Sequence, residues 1–343
     1  MDMSKIKDLF LKFCLSAASV AVALILCEFF VGAFIPQAVM YPRVRLSEKY
    51  YHDLYPGEKM LHEMPGRWKF IYTINEYGCR GKAVPVKEKY DKKNIVILGD
   101  SFAFGQGVSD GEEFPEVMAS GLKRGYDVIN LSVGGYGLTQ EIRKYYDLGA
   151  LYKPEIVVIV FCSNDPSDNF IKRVAYVKDG KILFRDMKRS HSFIKSRLSH
   201  SVLQKSQLFN LVLNNLFRKK DIANMAPKEL VGTNKMSGED AARFEDSSKE
   251  EFYNELLDAF VKDLKRKRAG VIFISVNEEL GVYPGIEKKV RQLASGGYLA
   301  YIDIMPWMKG LDDKGSPEGH AWGKLSHEVI GKKLTEYIKR HYK

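Results

Sequence analysis

Four stretches of this chain carry residues that could do chemistry together. In "NIVILGDSFAFGQGV", Asn94 to Val108, an apolar run ends on Asp100-Ser101 and glycines follow. "NLSVGGYG", Asn130 to Gly137, leaves another apolar run through a glycine pair. "FCSNDPSDN" sets Asn164-Asp165 behind a third run, and "SPEGHAWGKLSHEVIGKKL" places His320 two residues after Glu318. A simple turn would use the glycine and the acid of Gly99-Asp100 but has no need of a serine. A serine hydroxyl attacks only when a base removes its proton, and imidazole titrates in the right range. A third group must orient that base, which Glu318 could do. The oxyanion of a tetrahedral intermediate needs donors already in place, and a glycine N–H with an asparagine carboxamide can supply them. The set suits acyl transfer.

Residues so far apart must be carried to one edge by a frame. Five β-branched or aliphatic runs, Asn94–Leu98, Asp127–Val133, Ile156–Phe161, Gly270–Val276 and Tyr298–Ile304, are short and continuously apolar, as strands covered on both faces are. Amphipathic helical segments separate them. In the clearest, Ser247 and Glu250 form a capping-box pattern, Phe252, Leu256, Phe260 and Leu264 make one stripe, and Gly270 marks the expected stop. The alternation predicts a three-layer α/β/α sandwich around a five-stranded, mainly parallel sheet. Ligands of such sheets bind beyond the carboxyl ends of the strands, where the four stretches would converge. An insertion at about 170–245 interrupts the pattern. It contains "VKDGKILF", which predicts a hairpin about Asp179-Gly180.

The GDS after a strand, Gly135 five residues beyond Asn130, the Asn164-Asp165 pair and the late His320 resemble the SGNH (GDSL) hydrolase superfamily across roughly Asn94 to Ile338. The lead-in "INEYGCRGK" and an N-terminal apolar run resemble a bacterial membrane-anchored branch of it. The resemblance implies a flavodoxin-like SGNH fold with Ser101 as nucleophile and His320 as base. It implies an oxyanion hole made of the Ser101 N–H, the Gly135 N–H and the Asn164 side chain, with Gly135 preferred to Gly134 for its distance from Asn130. Two positions depart from the family pattern. Cys162 stands where the third block usually has glycine, which could crowd the hole. Position 317 is proline where an aspartate usually precedes the histidine. Some alginate-acetylating relatives use a two-residue spacing, which makes Glu318 the acid; Asp312 or Asp313 could substitute only through a loop fold-back. The implied activity is a serine esterase or O-acyl (acetyl) transferase acting on acyl or acetyl esters of envelope or exported polysaccharide. A lipid-directed esterase and a catalytically silent glycan-binding relative are the alternatives. No cofactor is implied.

Taken alone, "GQGVSD" lacks the third glycine of a dinucleotide loop, and Gly99-x-Ser101-x-Ala103 only partly matches a nucleophile elbow. There is no HExxH and no clustered Cys/His set, so no metal is expected. His327 is expected to pack along the last helix.

The 343 residues carry a net charge of +10, concentrated in Met187–Lys220, which has eight basic residues and no acid. One basic segment points to a local surface and not to nucleic acid, for which no binding signature is present. That segment also carries Phe193, Ile194, Leu198, Val202, Phe209, Leu213 and Phe217, so it could be a helical cover or lie on an anionic membrane surface. Residues 13–35 are long and apolar enough to span a membrane, after a short basic segment, 1–12, expected to be cytoplasmic. Glu28 inside the run must snorkel or pair. A signal peptide cut after Ala33 is the competing reading. The expected organisation is an inner-membrane anchor, a lead-in at 36–90 and a catalytic domain at 91–343 on the periplasmic or extracellular side. Of the four cysteines, Cys14 and Cys27 fall in the apolar run, while Cys79 and Cys162 could be disulfide-bonded or two buried thiols.

Overall fold

The computed structural model describes residues 3–39, 44–186, 206–217 and 238–342. Two antiparallel hairpins come first: β1 (Arg45–Ser47) with β2 (Tyr51–Asp53), and β3 (Lys59–Met64) with β4 (Trp68–Thr73). β5 (Lys93–Leu98), β6 (Tyr126–Asn130) and β7 (Ile156–Phe161) follow, then the hairpin β8 (Ala175–Lys178) and β9 (Lys181–Phe184), and last β10 (Gly270–Ser275) and β11 (Ala300–Tyr301). The central sheet has the order β11-β10-β7-β5-β6 and is parallel throughout. The expected five-stranded α/β sandwich is therefore present.

Alternation along the strands explains the layers. Val96, Leu98, Val157, Ile159, Phe161 and Phe273 face one way, onto the helices Leu138–Asp147, Gly238–Arg266 and Pro284–Ser295. Ile95, Ile97, Val158, Val160 and Ile274 face the other way, onto Phe114–Leu122 and Lys324–His341. Each fully buried side chain of this size contributes roughly 1.5–3 kcal/mol, so the sheet is held rigidly from both sides.

The topology places the site. From β5 the chain crosses to β6 on one side, then returns past β5 to β7 and continues outward to β10 and β11. The direction reverses between β5 and β7, and their carboxyl ends flank the crevice where such sheets bind ligands.

Several boundaries differ from expectation for local reasons. β6 stops at Asn130 because the Asn130 Oδ1 takes the Ser132 N–H, although Leu131 and Val133 still donate to Ile97 and Gly99. β11 is reduced to two residues at the sheet edge. The long helix begins at Gly238, so Ser247 and Glu250 lie inside it and do not start it; Glu250 instead accepts from the Ile286 N–H. That helix is closed by Arg268 in a left-handed conformation and not by Gly270, which begins β10. A Cβ on Gly270 would come within 2.4 Å of the Tyr342 ring, so glycine there serves packing. The hairpin turn at Asp179-Gly180 forms as expected, both residues having positive φ. Cys79 and Cys162 are buried free thiols, so the disulfide is not formed. Of the basic segment only 206–217 is described; Phe193, Ile194, Leu198 and Val202 lie outside the described residues. Within the helix Met3–Phe34, Ile6–Phe34 is long and apolar enough to cross a membrane.

The lead-in packs on the mouth of the sheet. Leu54, Met60, Tyr72 and Ile74 form a third cluster with Phe104, Val133 and Tyr136, residues of the two loops that follow β5 and β6.

Candidate active site

The serine is presented by a tight strand-to-helix turn. A Cβ on Gly99 would lie 2.6 Å from the Ala103 Cβ, so only glycine lets β5 run straight into the single helical turn Ser101–Phe104. Asp100 caps that turn by accepting from the Phe102 N–H at 3.0 Å. The turn closes at Gly105 (φ 83°), leaving the Ser101 side chain half-buried at the sheet edge.

Opposite it stands a compact block, Ser316–His320. The His320 Nε2 is 2.8 Å from the Ser101 Oγ, and the His320 Nδ1 is 2.5 Å from the Glu318 Oε1. A carboxylate at Nδ1 keeps the proton there and leaves Nε2 to accept from the serine hydroxyl. The Ser316 Oγ donates to the same Glu318 oxygen at 2.6 Å and accepts from the His320 N–H at 3.2 Å. Burial pushes the Glu318 carboxyl up, but the bonds from His320 and Ser316 outweigh it and hold it below the usual range. Gly107 (φ 85°) backs the block: a Cβ there would sit 2.4 Å from both the Glu318 Oε1 and the Ser316 Oγ. Its N–H donates to the Tyr72 hydroxyl of β4 at 2.9 Å. The Phe102 ring meets the imidazole edge-on at 4.8 Å.

Asp313 does not reach the imidazole. It accepts from the N–H groups of Gly315, Gly323 and Ser326, and so ties the loop to the start of the last helix. His327 packs as expected, accepting from the Phe114 N–H, and burial pushes it down to about 3.

The glycine loop lies on the other side of Ser101, and Asn164 is linked to it through Asp168 and Lys172. Gly134 makes the nearer approach to the serine: a Cβ on it would lie 3.7 Å from the Ser101 Cβ. The His52 Nε2 of β2 is 2.8 Å from the Gly134 carbonyl oxygen. In a trans peptide the N–H points opposite to the C=O, so this bond turns the Gly135 N–H away from His52. Among the described residues that N–H and the Ser101 N–H donate to no protein group. The next carbonyl, of Gly135, accepts from the Lys172 ammonium. Lys172 also pairs with Asp168 at 2.9 Å, and Asp168 accepts from the Asn164 Nδ2 at 2.9 Å. A line of groups therefore runs from the carboxamide to the glycine loop. Desolvation, then the Lys172 charge, push His52 down to about 4, so at neutral pH it is uncharged and its Nε2 carries the donated proton.

Asn130 donates to the Ala103 carbonyl at 3.0 Å, tying the end of β6 to the serine turn. Arg80, wholly buried, gathers the carbonyls of Phe104, Gly105 and Val108 and faces Asp110 and Glu113. Cys162 sends its thiol to Glu279 at 3.2 Å, and Glu279 also accepts from the Ser163 N–H. Behind Ser101, burial raises Asp100 to about 6; Glu141 rises well above the usual range by burial and the Asp100 charge, and Asp165 by burial and the charges of Glu141 and Asp100.

Sequence reasoning missed His52, Arg80, Asp168, Lys172 and Ser316. Asn164, Asp168 and Lys172 recur every four residues, the spacing of one helix face, and that signal was available. His52 had none: its partner is 82 positions away.

The sequence model of the GDSL-like lipase/acylhydrolase family matches residues 95–309, which include Ser101, Gly135 and Asn164. No curated protein matches the chain. Among solved structures the chain is similar to TesA at 11% identity (TM-score 0.42), covering 72% of this chain and 99% of that one. It is similar to the psychrotrophic esterase EstA from Pseudoalteromonas sp., inhibited by monoethylphosphonate, at 12% identity (TM-score 0.40, 73% and 98% covered). It is also similar to a catalytic mutant of Axe2, an acetylxylan esterase from Geobacillus stearothermophilus, at 13% identity (TM-score 0.39, 72% and 94% covered). With more than half of its residues matched by the family model, the chain belongs to the GDSL-like lipase/acylhydrolase family and is a serine ester hydrolase.

Proposed function

We propose that Ser101 is the nucleophile, His320 the general base and Glu318 the orienting acid, with the Ser101 and Gly135 N–H groups and the Asn164 carboxamide as oxyanion donors. The observation that carries the reading is the unbroken chain Ser101 Oγ, His320 Nε2, His320 Nδ1, Glu318 Oε1, at 2.8 and 2.5 Å across its two gaps. His320 takes the proton as the Ser101 oxygen attacks the ester carbonyl, and the negative oxygen comes to rest on the three donors. Collapse expels the alcohol, which takes the proton from His320 and leaves an acyl group on Ser101. Water then attacks, gives its proton to His320, and releases the acid as the proton returns to Ser101. A sugar hydroxyl in the place of that water makes the same site an O-acyl transferase.

The reading extends to acyl or acetyl esters on envelope or exported polysaccharide, reached by a catalytic domain (91–343) held outside an inner membrane by the apolar helix. It is supported by the family, by the Ile6–Phe34 span and by the position of Ser101 and His320 at the open end of the sheet. The test is fluorophosphonate labelling of the full chain with assay on an activated acetyl ester. Ser101→Ala should abolish labelling and lower kcat by roughly 10³-fold or more; near-normal hydrolysis by a folded variant would end the proposal. Comparison of acetylated polysaccharide with long-chain lipid esters then decides the substrate class.

A further inference from the structure

The apolar N-terminal helix is not alone. The one acid of its apolar run 13–35, Glu28, accepts from the Ser206 hydroxyl at 2.6 Å, the Gln207 N–H at 2.5 Å and the Leu208 N–H at 2.9 Å. The Ser206 Oγ accepts from the Phe209 N–H and its carbonyl accepts from the Asn210 N–H. Every donor in the first turn of the helix Gln207–Phe217 thus has an acceptor, and the carboxylate sits at the positive end of that helix's dipole. The Gln207 side chain accepts from the Gln37 N–H at 2.6 Å and lies 3.6 Å from where a Cβ on Gly32 would be. Val31, one turn from Glu28, is the one buried apolar side chain of the described helix Met3–Phe34.

Two further facts indicate what surrounds this contact. Glu28 lies six residues before Phe34, the last helical residue, which at 1.5 Å per residue is about 9 Å inside the end of the helix. The stretch Ser206–Phe217, SQLFNLVLNNLF, contains no charged residue although its chain is basic, and Val212 is 49% exposed. A carboxylate with three donors and a helix start with no idle N–H are what hydrocarbon demands and water does not.

We infer that the helix Gln207–Phe217 is a second membrane-embedded element, docked on the anchor through Glu28, with a lipid bilayer as the partner of the face that carries exposed Val212. The inference rests on the anchor reading of residues 6–34. It gives the insertion a role: the catalytic sheet is tied to the membrane at two points, which restricts how the site can swing above the bilayer.

The experiment uses the full chain in vesicles whose lipids carry bromine on the acyl chains, with tryptophan introduced singly. Val212→Trp should gain fluorescence that brominated lipid quenches severalfold more than it quenches Leu183→Trp, on the exposed hairpin. Ile25→Trp reports the anchor itself. Quenching at Ile25 without quenching at Val212 overturns the inference and leaves the anchor standing. Absence of quenching at Ile25 overturns both. Glu28→Ala should abolish the quenching at Val212 and leave that at Ile25 unchanged; an unchanged Val212 signal would remove Glu28 as the docking point.

Discussion

The two sides of the candidate site are built by opposite means. The proposed acid–base side is local: Ser316, Glu318 and His320 lie within five residues and hold one another through bonds spanning two or four positions. The side proposed to hold the oxyanion is assembled from afar. Its glycine loop is gripped at one carbonyl by His52 from the lead-in and at the next by Lys172 from the helix after β7. A local block can place a base with little help from the rest of the fold. A loop whose useful groups are backbone N–H must have its peptide planes set from outside, because it has no side chain to do so.

If that contrast is right, damage should differ in kind between the two sides. The largest loss after the serine itself is expected at Glu318→Gln, which removes the charge that fixes the imidazole tautomer: kcat should fall by about 10³–10⁴-fold. Asp312→Asn should leave turnover intact. Asn164→Ala comes next, with kcat lower by about 10²–10³-fold and KM little changed, since the donor matters most in the transition state. A defect confined to KM would reassign Asn164 to substrate binding.

The clamps sharpen the comparison. His52→Ala frees the Gly134 carbonyl and should lower kcat about tenfold or more at unchanged KM, a loss in the range of one hydrogen bond. Combined with Asn164→Ala it should fall short of additivity, because both act on one oxyanion, whereas with Glu318→Gln the losses should add. Equal additivity in both pairs would erase the distinction between the sides.

The smaller effects are in stability. Asp313→Asn weakens three loop bonds and should lower Tm by several degrees, an effect of about 1–2 kcal/mol, while kcat changes little. His52 has a folded pKa of about 4, below its ordinary 6.5. The unfolded chain therefore binds the proton first, and stability should decline as pH falls from about 6.5 toward 4. Replacing His52 by Gln, which still donates from a neutral side chain, should reduce the Tm lost between pH 7 and 5. An unchanged Tm difference would show that His52 is not desolvated in the folded protein.

The fold was legible because strands covered on both faces must be apolar throughout, and β7, all Ile, Val and Phe, is the plainest instance. Ser101 and Asn164 were legible because each follows such a run, and His320 because it stands late in the chain two residues after an acid. Glu318 was one candidate among three acids until the backbone of Ser316–His320 folded it against the imidazole and turned Asp313 to the last helix.

Sequence alone determined the sheet, the order of its strands' chemical ends and the types of residue gathered there, since these follow from hydrophobic period and spacing along the chain. The tertiary structure decided which carboxylate meets His320, which groups orient the glycine loop, and that Glu28 closes the start of a helix 178 positions away. Those choices depend on peptide-plane direction and on contacts between segments that are distant in sequence. A hydrogen bond has both length and angle, and neither is written in the spacing of residues along a chain.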